Sequence, residues 1–155
     1  MPHETISVLL ARARTGIEAG DTATAQAAWD QAGQLGGLTE VQVRQRMDTA
    51  ATLQDGLSWC LWGAVNGSAS AMWAAACCYW DAVGTRLNRV QSVRWYLAML
   101  SVRDGDGVHE AIMVAKRMSE AQIREAARLA GRDDDAALLL PLPGDRSRIN
   151  RLFRR

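Results

Sequence analysis

The residues best suited to acid–base or metal chemistry surround His109. Asp104 and Asp106 precede it and Glu110 follows it, and a histidine beside a carboxylate can act as a general base or bind a metal ion. The neighbourhood has no second histidine and no cysteine at ligand spacing. A calcium-loop pattern that begins at Asp104 has Ala115 where glutamate is required. We therefore predict no enzymatic activity, no metal site and no cofactor, and a bound metal ion would revive the enzyme alternative.

The three cysteines, Cys60, Cys77 and Cys78, have neither the spacing of a metal site nor the even number of a disulfide framework. We predict that they are small core residues in a reducing compartment. Residues 1–20 contain no apolar run typical of a signal peptide. A cytoplasmic location is therefore expected.

Charge is balanced overall but uneven along the chain. The formal net charge is +1, so the overall charge gives no reason to expect a nucleic-acid partner. We predict one domain over residues 1–144 and a basic C-terminal tail over residues 145–155. The tail is either solvated or folded onto an acidic partner or the chain's own acidic run at 133–135. Nucleic-acid binding through the tail is an alternative, and it would weaken steeply with salt.

Helix-forming residues dominate, and proline occurs only at positions 2, 141 and 143, so the sequence predicts an all-α fold. Apolar spacing, with caps at Asp21, Thr39, Asn88 and Ser119, predicts about eight helices. They are expected over residues 4–18, 22–35, 40–54, 57–65, 69–81, 89–102, 108–118 and 120–130, with one further turn near 134–140. A turn is predicted at residues 55–56.

The stretch 56–80 has no charged residue and is long enough to span a bilayer. Residues 66–68, Asn-Gly-Ser, interrupt it. Two short buried helices are therefore predicted rather than a membrane span.

Two tryptophans set a period. Trp59 and Trp95 lie 36 positions apart with small or apolar residues at matching offsets. A period of this length is typical of a helix-pair solenoid, in which each unit buries its apolar face against the next. Such folds usually bind other macromolecules.

Two adjoining segments resemble a known repeat. Residues 71–79 read AMWAAACCY and residues 84–96 read GTRLNRVQSVRWY, and together they resemble a Sel-one-like repeat, a relative of the tetratricopeptide repeat. Ala75 and Ala76 stand where the family has Leu-Gly, and Thr85 stands where it has Val. The resemblance implies a right-handed α-solenoid of antiparallel helix hairpins that acts as an adaptor or scaffold, with no conserved chemistry.

The repeat register predicts which residues meet a partner. Ala75, Ala76 and Tyr79 are expected to face neighbouring helices, whereas Trp73, Cys77 and Trp80 form a separate stripe. In a helix-pair solenoid that stripe lies on the concave face, and adding one period gives the equivalent positions of the next unit. The predicted partner-binding residues are Trp73, Cys77, Trp80, Asp81, His109, Met113, Lys116 and Arg117. The alternative for Trp73 and Trp80 is core packing against adjacent helices.

The function predicted from these observations is that of an adaptor or scaffold that binds another protein. The alternative is a bacterial cytoplasmic immunity protein that neutralises a toxin domain or secreted effector by direct binding. We expect no membrane and no nucleic-acid partner, and either a monomer or a homodimer.

Overall fold

The computed structural model describes residues 2–36 and 38–141, with side chains from Thr5 onward. The predicted tail, 145–155, lies outside the described residues. Within the described part the chain is helical and contains no strand, which confirms the all-α prediction. The helices are α1 (Pro2–Glu18), α2 (Thr22–Gln34), α3 (Glu40–Asp48), α4 (Leu53–Val65), α5 (Ala69–Asp81), α6 (Arg89–Ala98), α7 (Gly107–Ala115), α8 (Glu120–Leu129) and α9 (Ala136–Leu139). Short 3-10 segments cover Met99–Val102 and Asp133–Asp135.

Side-chain caps start several helices where the sequence predicts them. Thr39 accepts a hydrogen bond from the Gln42 amide, while the Gln42 side chain accepts one from the Thr39 amide (2.8 Å). Ser119 and Gln122 repeat this reciprocal arrangement at α8. Two otherwise unpaired donors are thereby satisfied at each helix start.

The predicted boundary between the third and fourth helices is wrong. The helix expected to continue to residue 54 ends at Asp48, and α4 begins at Leu53 rather than 57. The Thr52 hydroxyl accepts from the Asp55 amide at 3.1 Å and thus caps α4. Asp55 and Gly56, predicted as a turn, therefore lie in its first turns, because the threonine cap decides the boundary and a single glycine is tolerated inside a helix.

The end of α6 also differs. The sequence predicts one helix to residue 102, but the α-helix ends at Ala98 and continues as a 3-10 segment. Arg103 then adopts a left-handed conformation with φ of 62°, which ends the segment. Similarly, α7 stops at Ala115, three residues before the predicted end.

Helices adjacent in sequence pack against each other from α3 to α7, as do α1 and α2; α1 also packs on α4, and α6 packs on α8. Two hydrogen bonds join α3 to the start of α5. Ser68 donates to Glu40, and Arg44 donates to Ser70. The starts of the two helices therefore lie side by side, and both helices pack against α4.

The two tryptophans that set the period are both buried in the core, Trp59 in α4 and Trp95 in α6. A guanidinium lies over each indole ring: Arg46 at 5.9 Å and Arg94 at 4.5 Å from the ring centroid. Each of these two buried rings thus has an arginine at its edge of the core.

None of the described helices combines the length and apolar character needed to cross a membrane. The uncharged stretch is divided between α4 and α5, with Asn66 ending the first and Ser68 capping the second. The prediction of two short helices is confirmed.

Candidate partner-binding surface

One face of α5 is buried and the other carries the predicted stripe. Ala75, Ala76 and Tyr79 are fully buried, and the two alanines let α4 and α6 approach closely. Trp73, on the other side, keeps 37% of its surface exposed. Because residues three and four positions apart share a helix face, this packing leaves Trp73 of the stripe at the protein surface.

The remaining stripe residues of α5 are less exposed than Trp73. Cys77 and Trp80 are partly buried and pack against the edge of the core, while Asp81 is exposed at the end of the helix. The two tryptophans therefore differ in burial. Trp80 is largely a packing residue at the core edge, and Trp73 is a surface residue.

Tyr96 of α6 forms the floor beneath this stripe. Its ring meets Trp73 edge-on, with centroids 5.2 Å apart and planes at 74°, a favoured arrangement for aromatic pairs. Its hydroxyl lies 3.4 Å from the Cys77 sulfur. Trp73 and Cys77 are thus held by one buried side chain.

The surroundings of the Tyr96 hydroxyl keep it protonated. Burial raises the pKa of Tyr96, the hydrogen bond with Cys77 raises it further, and the nearby charges of Glu110 and Asp81 add to the effect. Glu110 lies on α7 and Asp81 on α5, so charges on both helices act on this hydroxyl. Tyr96 is not among the predicted partner-binding residues and entered the sequence analysis only as the last residue of the 84–96 repeat motif; the need of a buried tyrosine hydroxyl for a partner was the available signal.

The α7 side supplies the other predicted residues. Met113 is 46% exposed, and the Lys116 ammonium donates to its sulfur at 3.5 Å. His109 and Arg117 are exposed. All eight predicted residues are therefore at least partly exposed, and we call them, with Tyr96 as floor, the α5–α7 surface.

A groove of about 650 Å³ adjoins this surface between α3 and the α4–α5 hairpin. Its apolar lining consists mainly of Leu38, Val43, Met47 and Trp62. Ser70 lies on its rim, one helical turn before Trp73. The groove therefore opens beside the stripe.

Polar contacts hold the rim of the groove. The Arg44 guanidinium donates to Ser70 at 3.4 Å, and the Ser68 hydroxyl donates to Glu40 at 3.5 Å. At the floor, α4 and α5 approach so closely that a Cβ on Gly63 would lie 2.9 Å from the Ala71 Cβ. Sequence analysis missed the groove because it depends on the gap between two helices that are not neighbours in the chain.

Within the described ranges no group of three histidine, cysteine or acidic residues is placed to hold a metal ion. Comparison with protein-family models, with curated proteins and with solved structures gave no match.

The cysteines differ in burial, and their rates of alkylation measure that difference. Burial, followed by the proximity of Cys78 and Cys77, raises the pKa of the Cys60 thiol to about 12, and its sulfur lies 3.1 Å from the Ala71 carbonyl. Because the thiolate is the reactive form, iodoacetamide at pH 8 is expected to alkylate Cys60 at least about a hundredfold more slowly than an unperturbed thiol. Cys77, at the surface, is expected to react first.

Peptide mapping by mass spectrometry over a time course measures both rates in the native protein. Equal rates at Cys60 and Cys77 would contradict the close packing of α4 on α5. A denatured sample is the control, since all three cysteines should then react alike.

Proposed function

We propose that this protein is an interaction module, an adaptor or scaffold, that binds a partner polypeptide on the α5–α7 surface. The observation that carries the proposal is Trp73, a large aromatic ring left 37% exposed yet fixed against Tyr96. Tryptophan is enriched among the residues that dominate binding energy at interfaces. A ring already held in place loses little conformational entropy when a partner covers it.

The rest of the surface suits the same role. Met113 adds an exposed, adaptable apolar side chain next to Lys116. Asp81, Lys116 and Arg117 provide charges of both signs around the apolar residues. An apolar centre with a charged rim is the usual anatomy of a protein interface.

The groove extends this surface on its α3 side. Its apolar floor and polar rim fit one bulky apolar side chain of a bound polypeptide, whose backbone can reach the Ser68 and Ser70 hydroxyls. A partner that crosses α5 would then contact the groove and Trp73 together. We propose also that the helix hairpins form a right-handed stack of the Sel-one-like type, in which such a surface is used for binding.

The second candidate, neutralisation of a toxin domain, uses the same surface and differs in the occupant. In that case the partner is a folded domain and its activity is lost in the complex. Adding the protein to the captured partner and assaying the partner's toxicity distinguishes the two roles.

Affinity capture with mass spectrometry tests the proposal. The variant Trp73→Ala is expected to lose the captured partner, because it removes the exposed ring of the surface while Trp80 keeps its packing at the core edge. The matched control changes Val8→Ala, an exposed apolar residue on α1, a helix that packs on α2 and α4. The control is expected to keep the partner.

Two outcomes would contradict the proposal. One is capture by the Trp73→Ala variant at the level of the unchanged protein. The other is loss of capture that the Val8→Ala control shares, since the loss would then not depend on the surface.

A further inference from the structure

A second cavity, of about 620 Å³, lies between the end of α1, the start of α4 and the loop that joins α5 to α6. It is separate from the α5–α7 surface and from the groove. Its lining is largely polar and includes Arg14, Glu18, Gln54, Arg86 and Asn88. The volume is within the range of sites that hold small molecules.

Positive charge exceeds negative charge in this cavity. Arg14 donates to Ser58 (3.0 Å) and pairs with Glu18 (3.3 Å), which leaves other N–H groups of its guanidinium available. Arg86 is exposed and makes no ion pair with a described residue. Glu18 is the one acidic residue among the described residues of the lining.

The loop adds further donors. The backbone amides of residues 84–87 donate to no acceptor in the described part of the chain, and all four residues line the cavity. Gly84 has φ of +72°, and its Cα lies so close to α4 that a Cβ would approach the Leu53 carbonyl oxygen to 2.5 Å. The loop is therefore held in place against α4.

The helix that precedes the cavity loop carries a fully buried polar atom. Tyr79 is 0% exposed, and its hydroxyl has no hydrogen-bond partner among the described residues. Glu18, Arg94 and Arg14 are close enough for their charges to alter the pKa of Tyr79, although burial is the largest cause of its rise.

Arg94 does not line the cavity, but its charge acts on Tyr79. It donates to Gln91 and stacks on Trp95 but pairs with no described carboxylate. Burial lowers the pKa of Arg94 to about 10. The guanidinium nonetheless stays charged at neutral pH.

We infer that this cavity binds the oxyanion group, phosphate or carboxylate, of a small molecule, with Arg14 and Arg86 as its cationic contacts and the 84–87 amides as further donors. Guanidinium groups and successive backbone N–H groups are the donors that such anions favour. A bound anion also offsets the excess positive charge. The inference does not depend on the proposed partner-binding function.

Isothermal titration with inorganic phosphate and with succinate, each against chloride at equal ionic strength, tests the inference. Arg86→Gln is expected to weaken binding of the preferred anion by about tenfold or more, the scale of a charge-assisted hydrogen bond. Arg14→Gln is expected to weaken it similarly. Arg12→Gln, an exposed change on the same helix away from the cavity, is the matched control and should leave binding within about twofold.

Because Arg14 also donates a hydrogen bond to Ser58, binding by Arg14→Gln is interpreted only if this variant has the melting temperature of the unchanged protein. If it does not, Arg86→Gln alone tests the site. Tighter binding of phosphate assigns a phosphate ligand, and tighter binding of succinate assigns a carboxylate ligand. Binding no stronger than that of chloride would overturn the site. So would equal weakening by Arg12→Gln and Arg86→Gln.

Discussion

Changing Trp95→Ala is expected to lower the free energy of unfolding by about 3–5 kcal/mol, the usual cost of emptying a buried tryptophan site. Trp95 is 3% exposed in α6, and its indole N–H makes no hydrogen bond with a described residue. The loss is therefore one of apolar packing and of the Arg94 stacking contact. Urea denaturation followed by circular dichroism measures it.

The matched change, Trp73→Ala, is expected to cost only about 1 kcal/mol, mainly for the aromatic contact with Tyr96. A ring that is 37% exposed has less packing to lose than one in the core. A loss of several kcal/mol for Trp73→Ala would place this ring in the core and remove the basis for a binding role. Conversely, a loss of only about 1 kcal/mol for Trp95→Ala would contradict the burial of this ring between α6 and its neighbours.

Changing Gly84→Ala is expected to lower the free energy of unfolding by about 3 kcal/mol or more, because two penalties combine. The backbone is left-handed at φ +72°, and the added Cβ would lie 2.5 Å from the Leu53 carbonyl oxygen. Neither the backbone of α4 nor the loop can give way without losing contacts. Thermal and urea unfolding both measure the change.

Gly20→Ala separates the two penalties. Gly20 has nearly the same backbone angle, φ +76°, but nothing lies within 4 Å of the position of its Cβ. This variant is expected to lose only about 1–2 kcal/mol, from backbone strain alone. Equal losses at the two glycines would show that the loop after α5 does not press on α4.

Much of the helical framework follows from local chemistry. Thr39 and Ser119, each with glutamine three residues later, predict helix starts because side chain and backbone satisfy each other within four residues. The spacing of Ala75, Ala76 and Tyr79 predicts the buried face of α5, since helix geometry alone fixes which residues share a face. Trp73 is exposed because it lies on the other side of the same helix.

Features that depend on distant parts of the chain were not predictable in the same way. The break before α4 depends on the Thr52 cap, which competed with a glycine that looked like a turn. The groove depends on the gap between α3 and α5, and the second cavity depends on how the loop of Gly84 meets α4. Tyr96 becomes part of the surface only because α6 lies between α5 and α7.

The most direct test of the partner-binding surface measures affinity and stability on the same variant. For the partner recovered by capture, Trp73→Ala is expected to raise the dissociation constant by about thirtyfold or more, the scale of an interface hot spot. The free energy of unfolding should fall by no more than about 1.5 kcal/mol in the same protein. An unchanged dissociation constant in a stably folded Trp73→Ala variant would contradict the account.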